Sequence, residues 1–222
     1  MGYSFPLSLA QFHDLLRKQA ADCNLGEALD IAETGGGEIL SARIGNRLWA
    51  GSYTLHRQNA VDQEPILALI DLIRSPGRSF FTGDVAHRYP RLDPDGSILG
   101  ATAVTVQSVE ANNRELKLQG APDGYTVSAG DHISIIYGSS PVKYGYFRVV
   151  SGSSFNDAFT PTRTGLIEVQ PFIPAGITGG ETVQLVEPRM KAVYVPGSFS
   201  GGGRVRPMKA GPIQFSWRQS LR

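Results

Sequence analysis

Ser128-Ala129-Gly130-Asp131-His132-Ile133-Ser134-Ile135 and, further along, Thr178-Gly179-Gly180-Glu181-Thr182-Val183-Gln184-Leu185 share one phrase. Each opens on small residues with glycine, passes through an acid, and then alternates polar with aliphatic residues. Glycine reaches backbone conformations closed to other residues, and a period of two places successive side chains on opposite faces of a strand. Each copy therefore predicts a turn entering a strand with one apolar face. Together the copies look like two arms of one small barrel rather than two tandem domains.

Outward from the phrase the β pattern is dense. Strands are expected over 101–109, 114–118, 125–127, 132–137, 145–151, 165–170 and 182–186, punctuated by Asn112-Asn113, Gly120, Gly130, Gly138 and Gly176. Several short strands with regular turns predict a small barrel or sandwich. After Pro188 a strand over 190–195, a loop from Gly197 to Gly203 and a last strand over 212–219 follow.

The first 97 residues mix types. Ser8 and Gln11 form a possible capping box, and Leu9, Phe12, Leu15, Leu16 and Ala20 recur at helical spacing, so a short amphipathic helix is expected over 8–20. A strand over 25–32, a flexible turn at Gly35-Gly36-Gly37, and a hairpin of 39–44 with 47–56 about Gly45-Asn46 come next. A second helix, apolar nearly all round, is expected over 62–74, with Asp62 as cap and Pro65 in its first turn. After a short strand over 79–82, the segment 84–97 has no period and reads as a long loop, one that orders on assembly, as does 197–211. The last 35 residues offer two strands with no neighbour nearby. Unpaired strand edges leave backbone groups unsatisfied, so the two ends of the chain are expected to pair with each other. The resulting fold class is mainly β: a split α+β body, a sandwich or barrel with two short helices over 1–97 plus 188–222, and an inserted small β-barrel over 98–187.

Composition narrows function by exclusion. The chain has 222 residues, 41% of them hydrophobic, with 26 glycines, 14 prolines and a formal net charge of +1. That suits a globular β protein, one large domain or two small ones, and gives no global pull toward nucleic acid or anionic membrane. A basic run, Arg204, Arg206, Lys209, Arg218 and Arg222, reads as solvated loop and tail. The single cysteine, Cys23, rules out an intrachain disulfide and suits a reducing compartment. No signal-peptide pattern and no apolar run of about 20 residues occurs, so a soluble protein is expected.

Chemistry is hard to find. His13, His56, His87 and His132 lie in four different elements without metal-ligand spacing. Cys23 follows a predicted helix, whereas an activated thiolate favours a helix N-terminus or a neighbouring cation. Asp93-Pro94-Asp95-Gly96 resembles the middle of a calcium loop but lacks a preceding ligand and the distal Glu. The glycine triplets lack the Lys-Ser/Thr of a phosphate loop, and Glu168 with Glu181 has no specificity as a glycosidase pair. Tyr137, Tyr144, Tyr146, Phe147, Phe155 and Phe159 could form an exposed platform for sugar or single strands; as a group they are expected to fill a barrel core instead. No catalytic, cofactor-binding or metal-ligating residue is expected.

Arg78-Ser79-Phe80-Phe81, Arg88-Tyr89-Pro90-Arg91-Leu92-Asp93-Pro94-Asp95-Gly96, Gly124 to Asp131, Glu168-Val169-Gln170-Pro171-Phe172-Ile173-Pro174 and Arg189-Met190-Lys191-Ala192-Val193 carry a likeness of phrasing across most of the chain. In these stretches the sequence resembles distal tail proteins of long-tailed, siphovirus-type bacteriophages and related gene-transfer particles. The resemblance implies a structural virion protein of the tail tip with no catalytic residues, assembled in the bacterial host cytoplasm as a homohexameric ring. That ring would join the tail tube to the hub or baseplate and its fibres, with DNA only as passing cargo and no membrane insertion. A tail tube or hub-type protein, a carbohydrate-binding host-recognition module and a cell-wall hydrolase using Cys23 or paired carboxylates are the alternatives.

Overall fold

The computed structural model describes residues 2–156, 158, 161–206 and 209–222, without the side chains of 204–206 and 209. Strand makes up 40% of the described residues and helix 8%. Phe159 and part of the 197–211 loop lie outside the described residues, as do the side chains of Arg204, Arg206 and Lys209.

Two sheets carry two hydrophobic clusters. In the first, the strand Trp49–Leu55 pairs with Ile213–Gln219, from Ala50 opposite Arg218 to Thr54 opposite Gln214. Strand Met190–Tyr194 pairs with Ile213–Gln219 and with Phe80–Thr82, while Lys18–Ala21 and Asn24–Leu25 pair with Trp49–Leu55 on its other side. The two ends of the chain thus share one seven-stranded sheet, curled into a half-barrel. Gly51 sits opposite Trp217, where a Cβ would come within 2.7 Å of the indole and 1.9 Å of the Asp22 carbonyl. No side chain larger than hydrogen fits there.

The second sheet closes. Strands Ile167–Gln170, Lys143–Ser151, His132–Tyr137, Thr182–Gln184, Val104–Val109 and Glu115–Gln119 follow one another, and Ile167 pairs with Leu116 to complete a six-stranded barrel. Val106, Leu116, Leu118, Ile133, Ile135, Ile167 and Val169 fill it and have no exposed surface. Closure removes the sheet's edges. The strands of the doubled phrase are direct neighbours here, antiparallel, with Ser134 opposite Gln184 and Ile135 opposite Val183.

Among the described residues there is one α-helix, α1, Ala60–Ile73, not two. Its cap is Asn59 rather than Asp62, and it buries one face: Ala60, Gln63, Ile66, Leu69, Ile70 and Ile73. Val61, Pro65 and Ala68 are exposed, so the helix packs on one side and not all round. Over 8–20 the expected helix is absent. The reciprocal Ser8–Gln11 bonds do form, Ser8 N–H to Gln11 Oε1 at 3.0 Å and Gln11 N–H to Ser8 Oγ at 3.2 Å. The chain then makes only a 3-10 turn, His13–Leu15, and Lys18 onward joins the sheet edge. Burying Phe12, His13 and Leu16 while pairing Lys18–Ala21 satisfies the backbone as well as a helix would.

The hairpin also moves. Leu29–Glu33 pairs with Ile39–Arg43 around Gly35-Gly36-Gly37, and Gly45-Asn46 is not its turn. The Arg43 guanidinium explains Gly45-Asn46: it donates to the Gly45 carbonyl and to Asn46 Oδ1, both at 2.9 Å, and fixes that corner as the root of the hairpin.

Candidate functional site

The feature that local sequence and burial make unusual is this hairpin. All ten residues of its two strands are exposed. Period two places Leu29 and Ile31 on one face with Ile39 from the partner strand, and Ala32 and Leu40 on the other. Ile31 is 59% exposed, Ile39 68% and Leu40 54%. Ile44 stands exposed at the root. A lone two-stranded ribbon is marginal in water, and exposed apolar groups gathered in one place mark a contact surface. The root is firm: the Arg43 guanidinium also lies 4.3 Å from the centre of the Phe172 ring on the barrel.

The doubled phrase forms one type of turn twice. Asp131 Oδ2 accepts the Ser128 N–H at 2.8 Å, and Glu181 Oε1 accepts the Thr178 N–H at 2.9 Å. In both, the acid folds back on the residue three before it, with Gly130 and Gly180 at positive φ. Asp131 is buried and its Oδ1 accepts the Arg91 N–H at 2.9 Å, which ties the 84–97 segment to the barrel. Arg88 pairs with Glu187 and Asp14. The segment expected to stay loose before assembly is therefore held at several points. Asp93 and Asp95 do not make a calcium loop: Asp93 accepts the Ile98 and Leu99 N–H groups, and Asp95 the N–H and hydroxyl of Ser97. Their oxygens serve their own loop.

Between the sheets lies a polar seam. On strand Lys143–Ser151, Gly145, Phe147 and Val149 face the barrel core, while Tyr144 and Tyr146 face the half-barrel. Trp49 Nε1 donates to the Tyr146 carbonyl at 2.8 Å, and the two rings meet edge to face at 5.4 Å. The aromatic group thus divides: Tyr137, Phe147 and Phe155 belong to the barrel core, Tyr144 and Tyr146 to the seam.

Asp84 and His87, three residues apart on one loop, and the remote His132 bring one ligand atom each within 4.8 Å of one another. The donor set nevertheless does not suit a cation. Arg148 Nε donates to His132 Nε2 at 2.9 Å, so a positive group already holds that lone pair, and His132 Nδ1 meets the Tyr146 hydroxyl at 2.8 Å. Tyr146 also accepts the Asp84 N–H at 3.1 Å, and Asp84 Oδ2 meets His87 Nδ1 at 2.8 Å. Burial, with help from His87, lowers the His132 pKa to about 3, so the ring is neutral. The cluster locks the two sheets together. The Asp84-x-x-His87 spacing is local and passed unnoticed in the sequence; His132, on a barrel strand, has no sequence link to it.

His13 makes a second buried network. Its Nδ1 lies 3.0 Å from Thr82 Oγ1, and the Tyr53 hydroxyl bonds Thr82. Burial, then Lys18 and Arg88, lowers its pKa to about 3. Lys18, driven down to about 8 mainly by burial, donates to the His13 carbonyl. A cleft of about 220 Å³ between them is lined by Asp14, Asp84, Arg88 and Glu187; Arg88 pairs with Asp14 and Glu187, and Asp84 bonds His87. Cys23 is half-buried, and burial pushes its thiol up to about 12, far from a nucleophile's range. His56 stands exposed after the Trp49–Leu55 strand. Glu168 is committed to Arg114 at 2.8 Å and Glu181 to its turn, so the two do not form a carboxylate pair.

The chain matches no family model and no curated protein. Among the described residues, no helix is long and apolar enough to cross a membrane.

Proposed function

We propose that this chain is a structural, non-catalytic virion protein of a phage tail tip. Its copies close into a ring, a hexamer as the sequence resemblance implies, that joins the tail tube to the hub or baseplate and its fibres, with DNA as passing cargo. The observation that carries this reading is the hairpin of Leu29–Glu33 with Ile39–Arg43, whose exposed aliphatic residues have nothing to pack against in one subunit. A head-to-tail interface that repeats closes into a ring when its rotation allows, and a projecting apolar ribbon is suited to that kind of contact. Tyr137, Tyr146, Phe147 and Phe155 are buried and offer no exposed platform for the carbohydrate-binding alternative, whereas Tyr144 is half-buried. Negative-stain imaging of the purified protein tests the reading. Sixfold rings are expected; a monomer at every concentration would refute it.

A further inference from the structure

The far side of the half-barrel carries a groove of about 450 Å³ with a distinct chemistry. Arg74, Arg78, Lys191 and Arg222 line it together with apolar Val193 and Pro196, and no carboxylate side chain is among its lining residues. Some of this charge is already engaged. Arg74 bonds Asp71 at 2.9 Å just outside the groove, and Lys191 Nζ donates to the Arg222 carbonyl at 2.6 Å. Arg78 and Arg222 are exposed, Arg78 stacked 4.3 Å from the Phe5 ring.

The hairpin has the complementary chemistry. Between positions 27 and 42 it holds Glu27, Asp30, Glu33 and Glu38 and no lysine or arginine. Its exposed aliphatic residues would meet Val193 and Pro196 while its acids meet the guanidinium groups. The two surfaces also sit on opposite edges of one sheet. The hairpin leaves beside Asn24–Leu25, and the groove is built on Met190–Tyr194 and the approach to Phe80–Thr82. Four strand spacings lie between those edges, about 19 Å measured along the curled sheet. Within one subunit the hairpin does not fill the groove, because all of its strand residues are exposed.

We infer that the groove receives the hairpin of a second copy of this chain, acid to base and aliphatic to aliphatic. A donor surface on one edge and an acceptor on the other make a heterologous contact that propagates from copy to copy. This inference rests on the ring reading and names the surfaces that would build it. Charge complementarity of this kind sets register and excludes wrong partners, and it weakens as salt screens it.

The test is sedimentation velocity of the full-length protein across a concentration and NaCl series, with melting temperature as the check on folding. Two charge-reversed variants are compared, Arg78→Glu with Arg222→Glu in the groove and Glu33→Lys with Glu38→Lys in the hairpin; all four positions are solvent-exposed. Each variant alone is expected to weaken self-association about tenfold or more, and the fourfold variant to recover most of the loss. Self-association untouched by either reversal, or lost and not recovered in the fourfold variant, overturns the docking while leaving the ring intact. A monomer under every condition overturns the ring itself. A labelled DNA duplex is run alongside: binding that the groove variant abolishes, with self-association unchanged, would assign the groove to phosphates and overturn the inference.

Discussion

The barrel and the hairpin are made from the same unit, an antiparallel strand pair with aliphatic side chains, and they differ in what lies across it. In the barrel, six strands close and Ile133, Ile135 and Ile167 lose all contact with solvent. In the hairpin, two strands stand alone and Ile31 and Ile39 remain more than half exposed. Residue type does not separate the two regions; closure does. The barrel is complete within one subunit, and the hairpin has no surface packed across it there.

Matched substitutions should expose that difference most strongly. Ile135→Ala removes a fully buried side chain and is expected to cost about 2–5 kcal/mol in urea unfolding. Ile39→Ala, the same chemical change on the hairpin, is expected to cost no more than about 0.5 kcal/mol. Similar losses at both positions would mean that the hairpin is packed in the isolated subunit, and the contrast would fall.

Acid should act on the closed side of the comparison. His13 and His132 are buried neutral, each with its pKa lowered from 6.5 to about 3. Such a group contributes its full stability above about pH 6.5, and that contribution drains as pH falls toward 3, because the unfolded chain takes up the proton first. Each histidine should remove up to about 1.4 kcal/mol per pH unit in that window. Urea titrations between pH 7 and 4 check this, and His132→Gln should flatten the slope by about half. A slope unchanged in that variant would remove His132 from the account of acid lability.

The doubled turn gives a smaller and internally controlled effect. Asp131→Asn weakens charge-assisted bonds to two N–H groups at a buried site and should cost about 1–3 kcal/mol. Glu181→Gln makes the same change at a turn whose bonds are solvent-exposed and should cost less than about 1 kcal/mol. Equal costs would show that the burial of Asp131 and its bond to Arg91 contribute nothing beyond the turn.

These turns also show what the sequence could and could not reveal. Glycine, acid and alternation are local, so both strands of the phrase are legible, as is the pairing of the chain ends that leftover strands demand. The capping pair Ser8–Gln11 is legible too, yet the helix it should begin does not form, because tertiary pairing of Lys18–Ala21 and burial of Phe12 and Leu16 outweigh a weak helical preference. Gly45-Asn46 carries a strong hairpin signal, but the Gly35-Gly36-Gly37 turn lets Leu29–Glu33 pair in register with Ile39–Arg43 instead. Of the Asp84–His87–His132 cluster only the Asp84-x-x-His87 pair had a local signature. His132 joins it through tertiary packing, held by Tyr146 and Arg148 on one barrel strand.

The smallest effect on stability should carry the largest effect on assembly. Ile39→Asp places a charge on a side chain that is 68% exposed, so the folded subunit loses little, within about 0.5 kcal/mol by urea. If the hairpin is the donor surface of a ring, the same charge must be buried against apolar atoms of the next copy. In the proposed docking the isoleucine would pack on Val193 and Pro196 rather than on the arginines. A carboxylate desolvated against those apolar atoms is costly, and assembly should fall by about tenfold or more in sedimentation velocity. Ile135→Asp cannot separate the two effects, because the barrel would unfold first. On the ring proposal, stability and assembly are one property in the barrel and two in the hairpin, and a variant that loses one while keeping the other shows which residues a neighbouring copy would use. Normal assembly of the Ile39→Asp variant would leave the hairpin's aliphatic face without a structural reason and would break the contrast at its root.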